Sequence, residues 1–503
     1  VNVKNWAIIQ ETGIIIAVFV GCSFGSIASA DVKPADILGD HMVLQCGMAV
    51  PVWGTAEPGE EVTVTFDGQS KKTKADFSGR WMTMLDPLKV GKPRAMTIAG
   101  KNTITFNDVL VGEVWVCSGQ SNMAMKMSAV NNAQEEIAAA DYARIRLNGT
   151  SGWQPCSPET VRGFSSTAYF FGRHLYENLG VPVGLINRSV GGTPIEEWTP
   201  REAVLATEYG KKMYEGPNSE PMKSEYVKYL KRVEEAKERI RQWKEAQKQG
   251  KAQGRTPKLP KFRGGLTDAQ IGSLYREKIQ PVIPYAIRGV IWYQGERNAR
   301  FPNGALAYRQ LLPAMIGAWR KAWGQGGFPF LYVQLPNWEG GKDWPVIRES
   351  MLKSLSTPNT GMAVTIDIGK SLHPKNKQDV GKRLGLLARD IAYGQEIVSS
   401  GPLYKSVKID GSKIVLSFVS IGGGLVAKDG ELKSFEIAGR DCNFVEASAK
   451  IEGDKVVVES GRVAKPVAVR YGWARDPECY LYNKEGLPAS PFRTDSWDVP
   501  SEH

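Results

Sequence analysis

The chain has 503 residues, room for about three folded units at ~150 residues each, and its 42% hydrophobic and 23% charged residues are ordinary globular proportions. They exclude a small disulfide scaffold, a largely disordered chain and a polytopic membrane protein. The formal charge of +11 points first to a polyanion, but segment 223–263, with 14 basic and five acidic residues, holds most of it, which reads as one solvated Lys-rich helix rather than a nucleic-acid surface.

In chain order, residues 1–30 have the form of an export signal. Lys4 precedes the apolar run Ile14-Ile15-Ile16-Ala17-Val18-Phe19-Val20, and Ala28-Ser29-Ala30 offers a cleavage site, so a secreted or periplasmic protein is expected. The run is too short for a membrane span of ~20 residues, so no span is expected after cleavage. The five remaining cysteines (Cys46, Cys117, Cys156, Cys442, Cys479) are odd in number and widely spaced, which predicts neither a disulfide framework nor a zinc site.

Residues 31–107 alternate apolar and polar positions between turns, as in Val62-Thr63-Val64-Thr65-Phe66, and predict an N-terminal β unit. From about 108 to 398 the pattern changes to apolar runs, each followed by small polar residues and then a helical stretch, the signature of a parallel α/β sheet. The predicted strands are Val114-Trp115-Val116-Cys117, Gly184-Leu185-Ile186, Gly289-Val290-Ile291-Trp292-Tyr293, Phe330-Leu331-Tyr332-Val333 and Ala363-Val364-Thr365-Ile366. Helices are predicted over 166–179, 305–323, 345–355 and 375–393, with a charged helical insertion at about 201–267. Residues 399–503 return to short alternating strands and predict a C-terminal β unit.

Each core strand is followed by an unusual cluster: Ser118-Gly119-Gln120-Ser121-Asn122-Met123, Val190-Gly191-Gly192-Thr193-Pro194, Gln294-Gly295-Glu296, Gln334-Leu335-Pro336-Asn337 and Leu372-His373-Pro374. In an open parallel sheet these follow the carboxyl ends of the strands and meet at one edge, where ligands bind. Turn chemistry alone explains any single cluster, but explains five together less well. Ser121, at a strand-to-helix turn beside Gly119, is the nucleophile candidate. Of four histidines, His503 is terminal, His41 lies in the N-terminal unit and His174 in an aromatic helix, where packing is its expected role. His373 alone follows a core strand, which makes a Ser121–His373 hydrolase the leading hypothesis.

The string Val114-Trp115-Val116-Cys117-Ser118-Gly119-Gln120-Ser121-Asn122-Met123 resembles the nucleophile block of the sialate O-acetylesterase family, within the SGNH hydrolase superfamily. The resemblance continues in Gly191-Gly192-Thr193-Pro194-Ile195-Glu196-Glu197-Trp198, in Trp292-Tyr293-Gln294-Gly295-Glu296 and in His373-Pro374-Lys375-Asn376-Lys377. It extends to Met42-Val43-Leu44-Gln45 near the start and Tyr482-Asn483-Lys484-Glu485-Gly486-Leu487-Pro488 near the end. It implies an SGNH-type (flavodoxin-like) α/β core with a helical insertion, flanked by sandwich-like β units. It also implies an O-acetylated carbohydrate as substrate, and a serine esterase in which Ser121 attacks the acetyl carbonyl, His373 carries the proton, and no metal or organic cofactor is needed. The Ser121 N–H, Gly191 or Gly192 and the Gln294 amide are the implied oxyanion donors, with Glu296 beside them.

Two departures stand out. The superfamily's acid lies three residues before the histidine, where this chain has Lys370; Asp367 is the nearest preceding carboxylate, with Glu296 and Asp379 as further candidates and a Ser-His dyad as the alternative. Arg297 follows Glu296 where the family has serine. The substrate stays open between O-acetylated sialic acid and acetylated polysaccharide, for which Trp115, Trp198, Trp292 and Trp338 are candidate stacking platforms, each with a core role as the alternative. The basic insertion either attracts an anionic glycan or keeps an exposed helix soluble. Rival functions are a lipase- or thioesterase-like hydrolase and an inactive glycan-binding protein.

Overall fold

The computed structural model describes residues 31–215, 219–249, 257–258, 268–301 and 303–499; the expected export signal and His503 lie outside them. Its centre is a mostly parallel sheet whose strands are, in chain order, β1 (Thr103–Gly119), β2 (Tyr142–Gly149), β3 (Gly152–Cys156), β4 (Val183–Ser189), β5 (Gly289–Tyr293), β6 (Phe330–Val333) and β7 (Thr360–Ala363). The spatial order is β3-β2-β4-β1-β5-β6-β7, parallel throughout except for the β2–β3 hairpin at one edge. Continuous apolar runs such as Gly289-Val290-Ile291-Trp292-Tyr293 form strands buried on both faces, as a parallel sheet covered by helices requires.

The helices used below are α1 (Ser121–Ala124), α2 (Ser166–Leu179), α3 (Ser219–Lys248), α4 (Gly304–Trp323), α5 (Trp344–Lys353) and α6 (Lys377–Ile391). α2 packs on α6, and α4 on α5. The Ser165 side chain caps α2 by accepting from the Ala168 N–H, and Gly180 ends it in the left-handed conformation. The Asn376 side chain caps α6 in the same way through the Asp379 N–H. Predicted helices 166–179, 305–323, 345–355 and 375–393 correspond to α2, α4, α5 and α6. α3 occupies the charged part of the predicted insertion.

β1 belongs to two sheets. Its first half pairs antiparallel with Arg94–Ala99, its middle pairs with Val43–Gln45, and its second half lies between β4 and β5. A second N-terminal sheet is built from Lys33–Pro34, Val50–Thr55 and Arg80–Leu85. At the other end of the chain are two four-stranded antiparallel sheets, bridged by Tyr404 stacked on Phe492 at 4.8 Å and by Phe418 edge-on to Phe492.

Trp115, Trp198 and Trp292 are at most 1% exposed and pack into the core, Trp115 against Phe171 and Trp292 against both Trp198 and Trp319. These three are therefore core residues and offer no stacking surface; Trp338, half-buried, keeps part of its ring open and lies under the Arg300 guanidinium. His174 packs where α2 meets α6, and burial with Arg389 and Lys382 nearby lowers its pKa to about 4. No helix among the described residues is long and apolar enough to cross a membrane.

Candidate active site

The carboxyl ends of β1, β4, β5 and β7 bring the candidate residues together. β1 ends at Gly119, whose φ of +135° and close fit against the neighbouring strand suit no other residue: an added Cβ would stand 2.2 Å from the Tyr293 carbonyl oxygen. Gln120 then donates its N–H to that same carbonyl at 2.9 Å, and the chain turns into α1 with Ser121 first. β4 delivers Gly191 and Gly192 to the exposed rim. A Cβ built on Gly191 would meet the Ser121 Cβ at 3.6 Å, so this loop abuts the serine. The N–H groups of Ser121 and Gly191 carry no hydrogen bond among the described residues.

His373 comes from the irregular segment between β7 and α6, and its Nε2 lies 2.8 Å from the Ser121 Oγ. The ring is exposed, and burial of its inner part together with the cations Lys377 and Arg300 pulls its pKa below the ordinary histidine value. An imidazole held neutral beside a serine hydroxyl is a proton acceptor poised for that hydroxyl.

No carboxylate hydrogen-bonds His373 among the described residues. Asp367 is not brought to it: its two oxygens are held by the Arg383 guanidinium at 2.6 and 2.7 Å and by the Tyr482 hydroxyl at 3.2 Å. Asp379 binds Asn376 at the start of α6. Glu296 is 2% exposed, and its Oε1 accepts from the Asn122 amide at 2.5 Å. Lys370, where an acid was expected, faces Asp476 and Glu478 of the C-terminal unit at 3.8 and 4.0 Å.

Gln294 also takes a different place from the expected one. It is fully buried, and its Nε2 is shared among Gln120 Oε1 at 3.2 Å, Thr193 O at 3.1 Å and Asn298 Oδ1 at 2.8 Å. Asn298 in turn accepts from the Ile195 N–H and donates to buried Glu196. Gln294 and Asn298 thus tie the Gly191–Gly192 loop to the nucleophile loop from behind. Arg297 does not pair with Glu296; its backbone N–H donates to Gln120 Oε1, and its guanidinium lies 4.5 Å above the Phe301 ring.

A cluster that the sequence did not announce sits beneath the serine. Asn122 Nδ2 donates to the Leu372 carbonyl at 2.8 Å as well as to Glu296, and Asn122 Oδ1 accepts from Lys377 Nζ at 2.7 Å. Lys377 donates again to the Pro374 carbonyl at 2.6 Å. Burial pulls the Lys377 ammonium down to about 7 and pushes the Glu296 carboxyl up. No group of three or more His, Cys, Asp or Glu side chains among the described residues could hold a metal ion.

The model of a carbohydrate esterase family described as sialic acid-specific acetylesterase matches residues 111–247 and 262–386. The sialate O-acetylesterase of Mus musculus is 31% identical over 530 residues, covering 91% of this chain and 93% of the mouse protein. The Homo sapiens sialate O-acetylesterase is 30% identical over 91% of both chains. A carbohydrate acetylesterase from Xanthomonas citri has a similar crystal structure, with a TM-score of 0.77 and 35% identity over 93% of this chain and 100% of that one. The chain belongs to the sialic acid-specific acetylesterase family of carbohydrate esterases.

Proposed function

We propose that this carbohydrate O-acetylesterase works through an acetyl-enzyme on Ser121, with His373 as base and then acid, in an SGNH-type core flanked by sandwich-like β units. We further propose that it acts outside the cytoplasm after loss of residues 1–30. The observation that carries the mechanism is the 2.8 Å contact between Ser121 Oγ and His373 Nε2 at the carboxyl edge of the sheet. The hydroxyl passes its proton to Nε2 as Oγ adds to the acetyl carbonyl, and the resulting oxyanion is held by the N–H groups of Ser121 and Gly191. Collapse expels the sugar oxygen, which takes the proton back from His373. Water then attacks the acetyl-serine with His373 again as base, and acetate leaves.

Because Asp367, Glu296 and Asp379 are each engaged elsewhere, the reaction is assigned to a Ser-His dyad. The exposed cation Arg300 beside His373, and the half-open Trp338 ring under it, suit an acetylated sugar, with sialic acid and acetylated polysaccharide both in scope.

The test is acetate release from O-acetylated sialic acid and from acetylated polysaccharides by wild type, Ser121→Ala and His373→Ala. Each variant is expected to lose about 1,000-fold or more in kcat. In wild type the acid limb of kcat/KM should fall below pH ~6.5, because the neutral, competent imidazole persists to lower pH when its pKa is depressed. Equal release by wild type and Ser121→Ala would sink the mechanism.

A further inference from the structure

We propose that Asn122 is a positioning residue which, with Lys377, holds His373 from both sides of its backbone and so takes over the task an acid partner performs on the ring. The proposal rests on the Ser121–His373 reading and adds to it the groups that keep the pair in register. Asn122 follows the nucleophile directly, so any group it fixes is fixed relative to Ser121.

Its amide reaches the Leu372 carbonyl, one residue before His373. Its oxygen receives the Lys377 ammonium, which also binds the Pro374 carbonyl, one residue after His373. Both carbonyls flanking the histidine are therefore tied to one side chain next to the serine. Glu296 completes the cluster by fixing the amide orientation: with its Nδ2 between Glu296 Oε1 and Leu372 O, Asn122 must present its oxygen to Lys377. Asn122 and Lys377 are 0% exposed, and the Lys377 ammonium lies 5.2 Å from the Tyr293 ring centre, so water does not compete for these bonds. The His373 ring itself is bonded only to Ser121 among the described residues, so the orienting contacts present are those on its backbone.

The test uses the full chain with Asn122→Ala and Lys377→Met, assayed on p-nitrophenyl acetate and titrated with a fluorophosphonate that labels the active serine. Displacing the histidine should lower kcat about 100-fold in each variant, with KM changed by less than about threefold. The serine should still label to one equivalent, but slowly. Lys377→Met should also move the acid limb of kcat/KM to higher pH, since a cation beside His373 is gone, while Asn122→Ala leaves the limb in place.

Damage to folding alone would reduce the labelled fraction and kcat in proportion, with the labelled fraction reacting at the wild-type rate. That outcome, or kcat within about threefold of wild type in both variants, would overturn the proposal. Ser121→Ala is run alongside. Acetate release by it would overturn the functional reading and this proposal together, whereas an inactive Ser121→Ala with a fully active Asn122→Ala would overturn this proposal alone.

Discussion

Asp367 shows how a carboxylate near a catalytic histidine can belong to the scaffold. Its bidentate pair with Arg383 joins the segment after β7 to α6, the Arg383 guanidinium also binds the Val364 carbonyl, and Tyr482 adds a contact from the C-terminal unit. With its side chain 15% exposed and that of Arg383 10% exposed, removing one partner leaves a poorly solvated charge behind. Asp367→Asn should therefore cost about 3 kcal/mol of stability, read as a lower denaturation midpoint, while kcat stays within a few-fold and the acid limb of the pH profile does not move. A loss of activity of ~1,000-fold with unchanged stability would make Asp367 the acid after all. Sequence position alone pointed to Asp367 because it precedes His373 by six residues; the partner that claims it, Arg383, is a helix residue with no motif of its own. Asn122 and Lys377 each lie inside a block that carries the family resemblance, but their contact was hidden, since they are 255 positions apart and a lysine is rarely expected at a site with no exposure.

At the level of elements, α3 has nine basic and six acidic residues, so it carries only part of the charge that first suggested a polyanion. Two of its pairs, Lys237 with Glu234 at 2.7 Å and Arg241 with Glu238 at 2.9 Å, lie one turn apart on an exposed surface. Such pairs contribute little to stability, but each offsets a cation locally, which favours the solubility reading over attraction of an anionic sugar. Replacing Lys237, Arg241 and Lys244 by glutamine should leave KM for anionic and neutral acetylated sugars equally unaffected and should lower solubility; a selective rise in KM for the anionic sugar would restore the other reading. The parallel strands were legible because buried runs such as Phe330-Leu331-Tyr332-Val333 end in abrupt polar clusters. β7 was displaced: its ladder is Thr360–Ala363, and the apolar residues Val364 and Ile366 continue past it into a turn whose Thr365 hydroxyl binds the Gln334 carbonyl. The β2–β3 hairpin was missed because Arg144 and Arg146 break its apolar pattern; Arg146 is buried with its guanidinium held by the Asp108 carboxylate and by the Ala143 and His41 carbonyls.

At the scale of the whole molecule, Arg348 joins the core to the C-terminal unit. It is fully buried, no carboxylate hydrogen-bonds it among the described residues, and it donates to four carbonyls: Leu335 and Pro336 after β6, and Ala474 and Arg475 across the junction. Burial pulls its pKa down to about 9, which still leaves it charged at neutral pH. Arg348→Met fills the space but leaves those carbonyls unpaired, so it should destabilise by about 3–5 kcal/mol. Scanning calorimetry should then resolve a separate low-temperature transition for the C-terminal unit, and a single unshifted transition would show that the junction is held by other contacts.

The strand shared by an N-terminal sheet and the catalytic sheet carries a different implication. Because Thr103–Gly119 is hydrogen-bonded first to Arg94–Ala99 and only later between β4 and β5, the strand bearing the nucleophile has its twist and register set partly outside the catalytic sheet. The N-terminal unit is therefore not a detachable accessory that could be trimmed or exchanged at a linker. A cut within Arg94–Ala99 or Thr103–Gly119 severs a ladder rather than a tether, so modular engineering of this enzyme has to keep residues 31–119 with the core and place its seams elsewhere.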